Sequence, residues 1–255
     1  KSIEKKDLVI IATPISKVVD AAKLAIKYGQ DNILIEKPGS VNHRELLKLK
    51  NKIKKQKVRI AYNRLCYPSF HKLLECIKKD GGISSCKFSF TEIIDRIDFE
   101  KDLPEIYSKW GISNSLHVIS MAMELIGMPK KIIVKQWGEL NWHKSGSIFV
   151  GCGISKKNIP FSYHSDWQGS GRWGIEVSTK KNLYQLVPLE KLYCCPKGKF
   201  NWSEIPLNTA YSDLKTGVAE EISMMLSNKK IKDEMISLSQ GIEYNKLADK
   251  IFGYS

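Results

Sequence analysis

A chain of 255 residues, 42% hydrophobic and 27% charged, can bury a real core in one large domain or two modest ones. No stretch approaches the roughly 18 apolar residues of a membrane span, and Lys1–Lys6 runs straight into a strand pattern rather than a secretory leader. Six scattered cysteines without a CxxC pair point to reduced thiols in a cytoplasmic protein and away from structural zinc. The net charge of +14 is spread over lysines such as Lys48, Lys50, Lys52, Lys54, Lys55 and Lys57 without interleaved aromatics. That pattern is a solvated surface whose field favours anionic small ligands, not a nucleic-acid footprint.

Asp7–Pro14 is a continuous apolar run closed by Thr13-Pro14, as in a parallel strand buried on both faces. Ser16 is placed to cap a helix carrying Ile15, Val18, Val19, Ala22, Ala25 and Ile26 at helical spacing, stopped by Gly29. Ile33–Glu36 is a second strand, and Lys37-Pro38-Gly39 forces the chain to turn directly after it. A lysine therefore stands at the carboxyl end of a buried strand, the edge at which open parallel sheets bind ligands. Asn42 and Glu45 suggest a capping box opening a Lys-rich helix. Val58–Asn63 is a third strand, and a helix from Pro68 ends at Gly81-Gly82. Strands alternating with helices imply a parallel sheet with right-handed crossovers.

The pattern changes after residue 83. Cys86, Phe88 and Phe90 alternate with polar residues, the period-two signature of a sheet with one wetter face. Asp95–Lys109 is mixed and irregular. Ile112–Ile126 holds only His117 and Glu124 as titratable residues, which implies a helix buried on most sides. Strands follow at Lys131–Trp137, Ser147–Ile154, Pro160–Trp167, Trp173–Thr179 and Asn182–Val187, a mainly antiparallel meander, and then helices at Val218–Leu226 and Glu243–Phe252. The expected architecture is a parallel α/β region over 1–83 and an α+β region with one open sheet over 84–255. Gly169–Gly174 matches G-x-G-x-x-G literally, but a strand rather than a helix follows it, so it is a turn and not a phosphate loop.

Ala12-Thr13-Pro14, Glu36-Lys37-Pro38, Tyr62-Asn63-Arg64 with Pro68, and a helix carrying His117 together resemble the Gfo/Idh/MocA oxidoreductases, in order and over essentially the whole chain. Phe161–Thr179 and Lys215-Thr216-Gly217 resemble the branch of that family associated with sugar nucleotides. The resemblance implies a Rossmann-type domain for NAD or NADP, a substrate domain for a sugar or nucleotide sugar, and homo-oligomers formed through the open sheet, with no nucleic-acid or membrane partner. It implies catalytic roles for Lys37, beside the reacting hydroxyl, and His117, as general acid/base. Thr13, Pro14, Glu36, Lys37 and Asn63 would line the cofactor. Arg64, Ser113, Tyr163, Arg172 and Trp173 would face the substrate, although strand alternation lets only half of the sheet residues do so.

Two departures set further expectations. The family's Gly-rich loop belongs to a first βα turn that this sequence lacks, so Asp7–Pro14 corresponds to its fourth strand and roughly 60 residues, two βα units, are missing before it. The 255 residues alone should bind a dinucleotide poorly. Ser113 occupies the position of a family aspartate four residues before the histidine, and serine cannot hold a negative charge there. A catalytically weakened sugar-binding or scaffold protein, or an NAD-using non-redox sugar enzyme such as a glycosidase or epimerase, are the alternatives to a dehydrogenase.

Overall fold

The computed structural model describes residues 3–208, 214–227 and 235–254. Three short strands, β1 (Val9–Ile11), β2 (Asn32–Glu36) and β3 (Lys57–Ala61), form a parallel sheet in that order. The apolar run of β2 makes it the buried central strand, with Ile33, Leu34 and Ile35 all inaccessible. Helices α1 (Ile15–Lys27), α2 (His43–Lys50) and α3 (Pro68–Asp80) connect and flank the strands. Ser16 does not cap α1: the helix begins at Ile15 behind Pro14, with no side-chain cap, because Pro14 already fixes the entry. Asn42 caps α2 through the Arg44 amide at 2.9 Å, but Glu45 pairs with Lys48 instead of closing a box. A 3-10 turn over Asn63–Cys66 joins β3 to α3.

The second sheet has eight strands, in the order β11-β10-β9-β8-β4-β7-β6-β5. They are β4 (Ser85–Phe90), β5 (Pro129–Trp137), β6 (Ile148–Ser155), β7 (Pro160–Asp166), β8 (Trp173–Ser178), β9 (Asn182–Leu186), β10 (Tyr193–Pro196) and β11 (Ser203–Glu204). The expected meander is split: β4 lies between β7, to which it is parallel, and β8, to which it is antiparallel. The central place suits its residues, since Cys86, Phe88 and Phe90 all point into the core. Gly169–Arg172 lies in the connection that carries the chain from β7 across β4 to β8, with Asp166 accepting from the amides of Gln168 and Gly169, and Trp173 and Gly174 already belong to β8.

The inner face of this sheet is covered by α5 (Leu116–Ile126) and α7 (Leu238–Phe252); a short α4 (Pro104–Tyr107) precedes α5, and α6 (Val218–Leu226) packs on the parallel sheet, where Met225 meets Leu34 and Ala61. A π turn over Gly111–Ser115 leads into α5. α7 starts five residues before the expected Glu243, at a capping box formed by Ser237 and Gln240. The segment before it runs along β3, with the Ile60 amide donating to the Ile236 carbonyl at 2.9 Å, so the carboxyl-terminal region returns to the first sheet. Among the described residues no helix is long and apolar enough to cross a membrane.

Asp80 ties the end of α3 to the β8–β9 hairpin. Its Oδ2 accepts from Thr179 Oγ1 at 2.7 Å, Asn182 Nδ2 at 2.8 Å and the Tyr184 hydroxyl at 2.9 Å. Burial pushes this carboxyl up, but those three bonds and Lys181 pull it below the usual carboxylate range. A depressed folded-state pKa means stability that is present above the unfolded value and lost as pH falls through the folded one. Asp80→Ala should cost about 1–3 kcal/mol at neutral pH, because three donors lose their acceptor. Urea unfolding should show that cost shrinking on acidification below the ordinary aspartate range.

Candidate active site

The turn after β2 is closed by the Gly39 amide, which donates to the Glu36 carbonyl at 3.0 Å, with Gly39 at φ +78° and a cis Lys37–Pro38 peptide. Glu36 stays exposed, while Lys37 is directed inward and donates from Nζ to the Ser113 carbonyl in the π turn. Burial brings Lys37 down to about 8. Glu36 and Glu92 oppose that shift, and Arg64 and Lys215 add to it.

His117 is the second residue of α5 and is almost fully buried. Its ring meets Tyr62 edge-on at 6.4 Å and Trp173 at 5.9 Å between centroids. Burial, then the positive charges of Lys37, Arg64 and Lys215, hold the imidazole well below its ordinary value, so it is neutral near pH 7. Its Nδ1, the Tyr62 hydroxyl and Arg64 Nε are buried without hydrogen-bond partners among the described residues. Three orphaned polar atoms so close together are unusual, because each costs free energy unless a ligand or water completes it.

Above these residues opens a cleft of about 270 Å³, lined by Arg64, Arg96, Arg172, Glu92, Trp110 and Trp173 among others. The Arg64 guanidinium lies 4.9 Å from the centre of the Trp173 ring. Lys37 and His117 sit one layer below the lining. Lys37 reaches it through Ser113, next to the cleft residue Asn114, and His117 reaches it through Trp173.

The other residues expected at the site divide. Thr13 and Pro14 are exposed at the end of β1, on the same sheet edge as Glu36. Asn63 starts the 3-10 turn and donates to the Thr216 carbonyl at 3.4 Å, which brings Lys215-Thr216-Gly217 to this edge. Arg172 and Trp173 line the cleft, and Ser113 contributes its carbonyl rather than its side chain. Tyr163 lies apart, buried in the core against Phe88 and Phe90, because its register on β7 faces the interior at mid-sheet. Glu92 was not expected, yet the alternation that turns Cys86, Phe88 and Phe90 inward carries through to it.

Gly217 adopts φ +84°, and a Cβ there would lie 2.1 Å from the Asn63 carbonyl oxygen. Gly217→Ala should therefore destabilise the chain by more than about 1 kcal/mol, read by thermal unfolding, and push Lys215 away from Lys37.

No protein-family profile matches the sequence, and no curated protein sequence does. Solved structures do match. UDP-N-acetylglucosamine 3-dehydrogenase GnnA from Acidithiobacillus ferrooxidans superposes with a TM-score of 0.71 at 14% identity, over 97% of this chain and 78% of that one. An oxidoreductase from Agrobacterium radiobacter, in complex with NAD+, L-tartaric acid and magnesium, gives 0.75 at 9% identity, over 97% and 77%. An inositol dehydrogenase homolog from Azotobacter vinelandii, complexed with NADH and myo-inositol, gives 0.73 at 10% identity, over 97% and 75%. The chain has the fold of these oxidoreductases. This is the two-part Gfo/Idh/MocA architecture that the sequence resemblance implies, with a parallel Rossmann-like sheet beside a large open sheet.

Proposed function

We propose that this chain belongs to an NAD(P)-dependent oxidoreductase acting on a hydroxyl or carbonyl of a sugar or nucleotide sugar. The observation that carries this reading is Lys37, bound to the Ser113 carbonyl at the carboxyl edge of a parallel sheet, beside a neutral His117 with an orphaned Nδ1. The residues present suit the nicotinamide half of a dinucleotide: a ligand at this edge would meet Thr13, Pro14, Glu36, Lys37 and Asn63, and two of the orphaned polar atoms belong to His117 and Arg64, side chains that interact electrostatically with Lys37. They do not suit the diphosphate half, since none of the described βα turns of the parallel sheet carries the paired glycines needed for close approach.

A nicotinamide would supply the hydride acceptor. This chain's residues handle the proton and the orientation. The Lys37 ammonium, charged below pH about 8, would donate a hydrogen bond to the substrate oxygen as negative charge develops there. His117, neutral at that pH, would accept the hydroxyl proton. Arg64, Arg96 and Arg172 around the cleft suit a phosphate or diphosphate, and the Trp110 and Trp173 rings suit the apolar face of a sugar or base. UDP-N-acetylglucosamine, the compound named for GnnA, is the first substrate to assay. Its oxidation by the complete gene product, followed through the absorbance of reduced nicotinamide, should fall away above pH 8. Saturating rates that stay flat into the alkaline range would refute the role given to Lys37.

Homo-oligomers through the open sheet are part of the same proposal. The outward face of β5 and β6 leaves Ile133 67%, Trp137 52% and Ile154 40% exposed, large apolar side chains interspersed with Lys131 and Lys135 on the same face. Sedimentation of wild type against Ile133→Glu would detect the loss of assembly.

A further inference from the structure

We infer that Glu92 is a positioning residue that ties both halves of this site together, holding the turn that receives Lys37 and the indole that carries Arg64. This rests on the oxidoreductase reading for its effect on turnover, but its physical basis does not. Glu92 follows β4 and is 6% exposed. One carboxylate oxygen accepts from Ser115 Oγ at 2.5 Å and from Trp173 Nε1 at 3.3 Å, and the other accepts from Asn114 Nδ2 at 2.7 Å. Burial pushes this carboxyl up, and the hydrogen bonds oppose that shift: an indole N–H and an amide NH2 can only donate, so these partners favour the ionised acceptor.

Each bond leads to a working part. Asn114 and Ser115 belong to the π turn whose Ser113 carbonyl receives the Lys37 ammonium. A π turn is a loose piece of helix, so two side-chain bonds to one buried carboxylate fix where that carbonyl points. Trp173, on β8, lies against both the Arg64 guanidinium and the His117 ring. A single carboxylate thus sets the orientation of Lys37, Arg64 and His117 without belonging to any of their elements.

Its charge matters as well as its shape. The charged groups that face Lys37 are Glu36, Arg64, Glu92 and Lys215. Glu36 sits at the exposed strand end, whereas Glu92 is buried within the site. Serine at position 113 brings no charge, so Glu92 is the interior carboxylate that supports the lysine's positive form.

The test is the rate at which Lys37 is acylated by a small anhydride, followed peptide by peptide by mass spectrometry as a function of pH on the whole chain. In Glu92→Gln the midpoint for Lys37 should fall by at least about half a pH unit, raising its acylation at pH 7 by about threefold, with Lys48 on α2 unchanged as the control. Ser115→Ala keeps the carboxylate but frees one side of the turn. It should also raise Lys37 acylation, and it serves if Glu92→Gln does not fold. Midpoint and rate for Lys37 equal to wild type in the folded variants would overturn the inference. Turnover separates the two claims. With UDP-N-acetylglucosamine, Glu92→Gln should lower kcat with KM within about twofold. A wild type that reduces no nicotinamide would count against the oxidoreductase reading and leave the Lys37 titration to decide the role of Glu92.

Discussion

Lys37→Met should lower turnover by about 10²–10⁴-fold and, at pH 7, make the folded protein more stable. Both results come from the same burial. An ammonium kept out of water is costly, which is why Lys37 is brought down to about 8 from an ordinary 10.5. Between those values the unfolded chain binds more protons than the folded one, so this lysine makes wild-type stability rise with pH across that window. Methionine keeps most of the aliphatic stem and discards the charge. Its variant should gain on the order of 1–3 kcal/mol at pH 7, and the alkaline rise should disappear. Urea unfolding at pH 7 and at pH 10 reads both effects. A protein that keeps such a residue accepts lower stability for a lysine whose charge changes near neutral pH.

Phe252→Ala should have the largest effect on stability, a loss of about 3–5 kcal/mol. Phe252 is fully buried near the end of α7 and packs on Phe90 at 5.3 Å, Phe149 at 4.8 Å, Trp167 at 5.7 Å and Tyr254 at 5.4 Å between ring centroids. It therefore fastens the carboxyl-terminal helix to β4, β6 and the edge of β7. It also touches the site's support, because a Cβ on Gly111 would lie 2.3 Å from its ring. Gly111 opens the π turn that carries Ser113, Asn114 and Ser115. Emptying the space beside Gly111 should loosen that turn, so the variant should lose activity at temperatures where it is still folded. Denaturant midpoints alongside initial rates would show both losses.

Much of the fold is legible in the residues because local signals agree with the tertiary result. Ile33–Ile35 is apolar without interruption and is the buried centre of a parallel sheet. Cys86, Phe88 and Phe90 alternate and all face the core. What sequence leaves open is pairing between distant segments. Nothing in Ser85–Phe90 says that β7 and β8, both more than 70 residues later, will settle on either side of it. The short β10 and β11 have too few residues for a periodicity to emerge.

The same limit applies at the site. Lys37 announces itself through the Pro and Gly that follow it. His117 is conspicuous in an apolar helix. Tyr163 is not separable from Arg172 and Trp173 by alternation alone, and only the sheet register places it in the core. Glu92 could have been found by extending the strand's phase by one more step, but its partners Asn114, Ser115 and Trp173 lie in two other segments.

The most direct measurement is protection of Lys37 by a reduced cofactor. The complete gene product would be acylated at pH 8 with and without saturating NADH, and with ADP-ribose as the control that lacks the nicotinamide ring, and each lysine followed by mass spectrometry. A nicotinamide seated at the carboxyl edge of β2 should shield Lys37 strongly with NADH and much less with ADP-ribose. Equal modification of Lys37 under all three conditions, with NADH shown to be bound, would contradict its place beside the reacting centre.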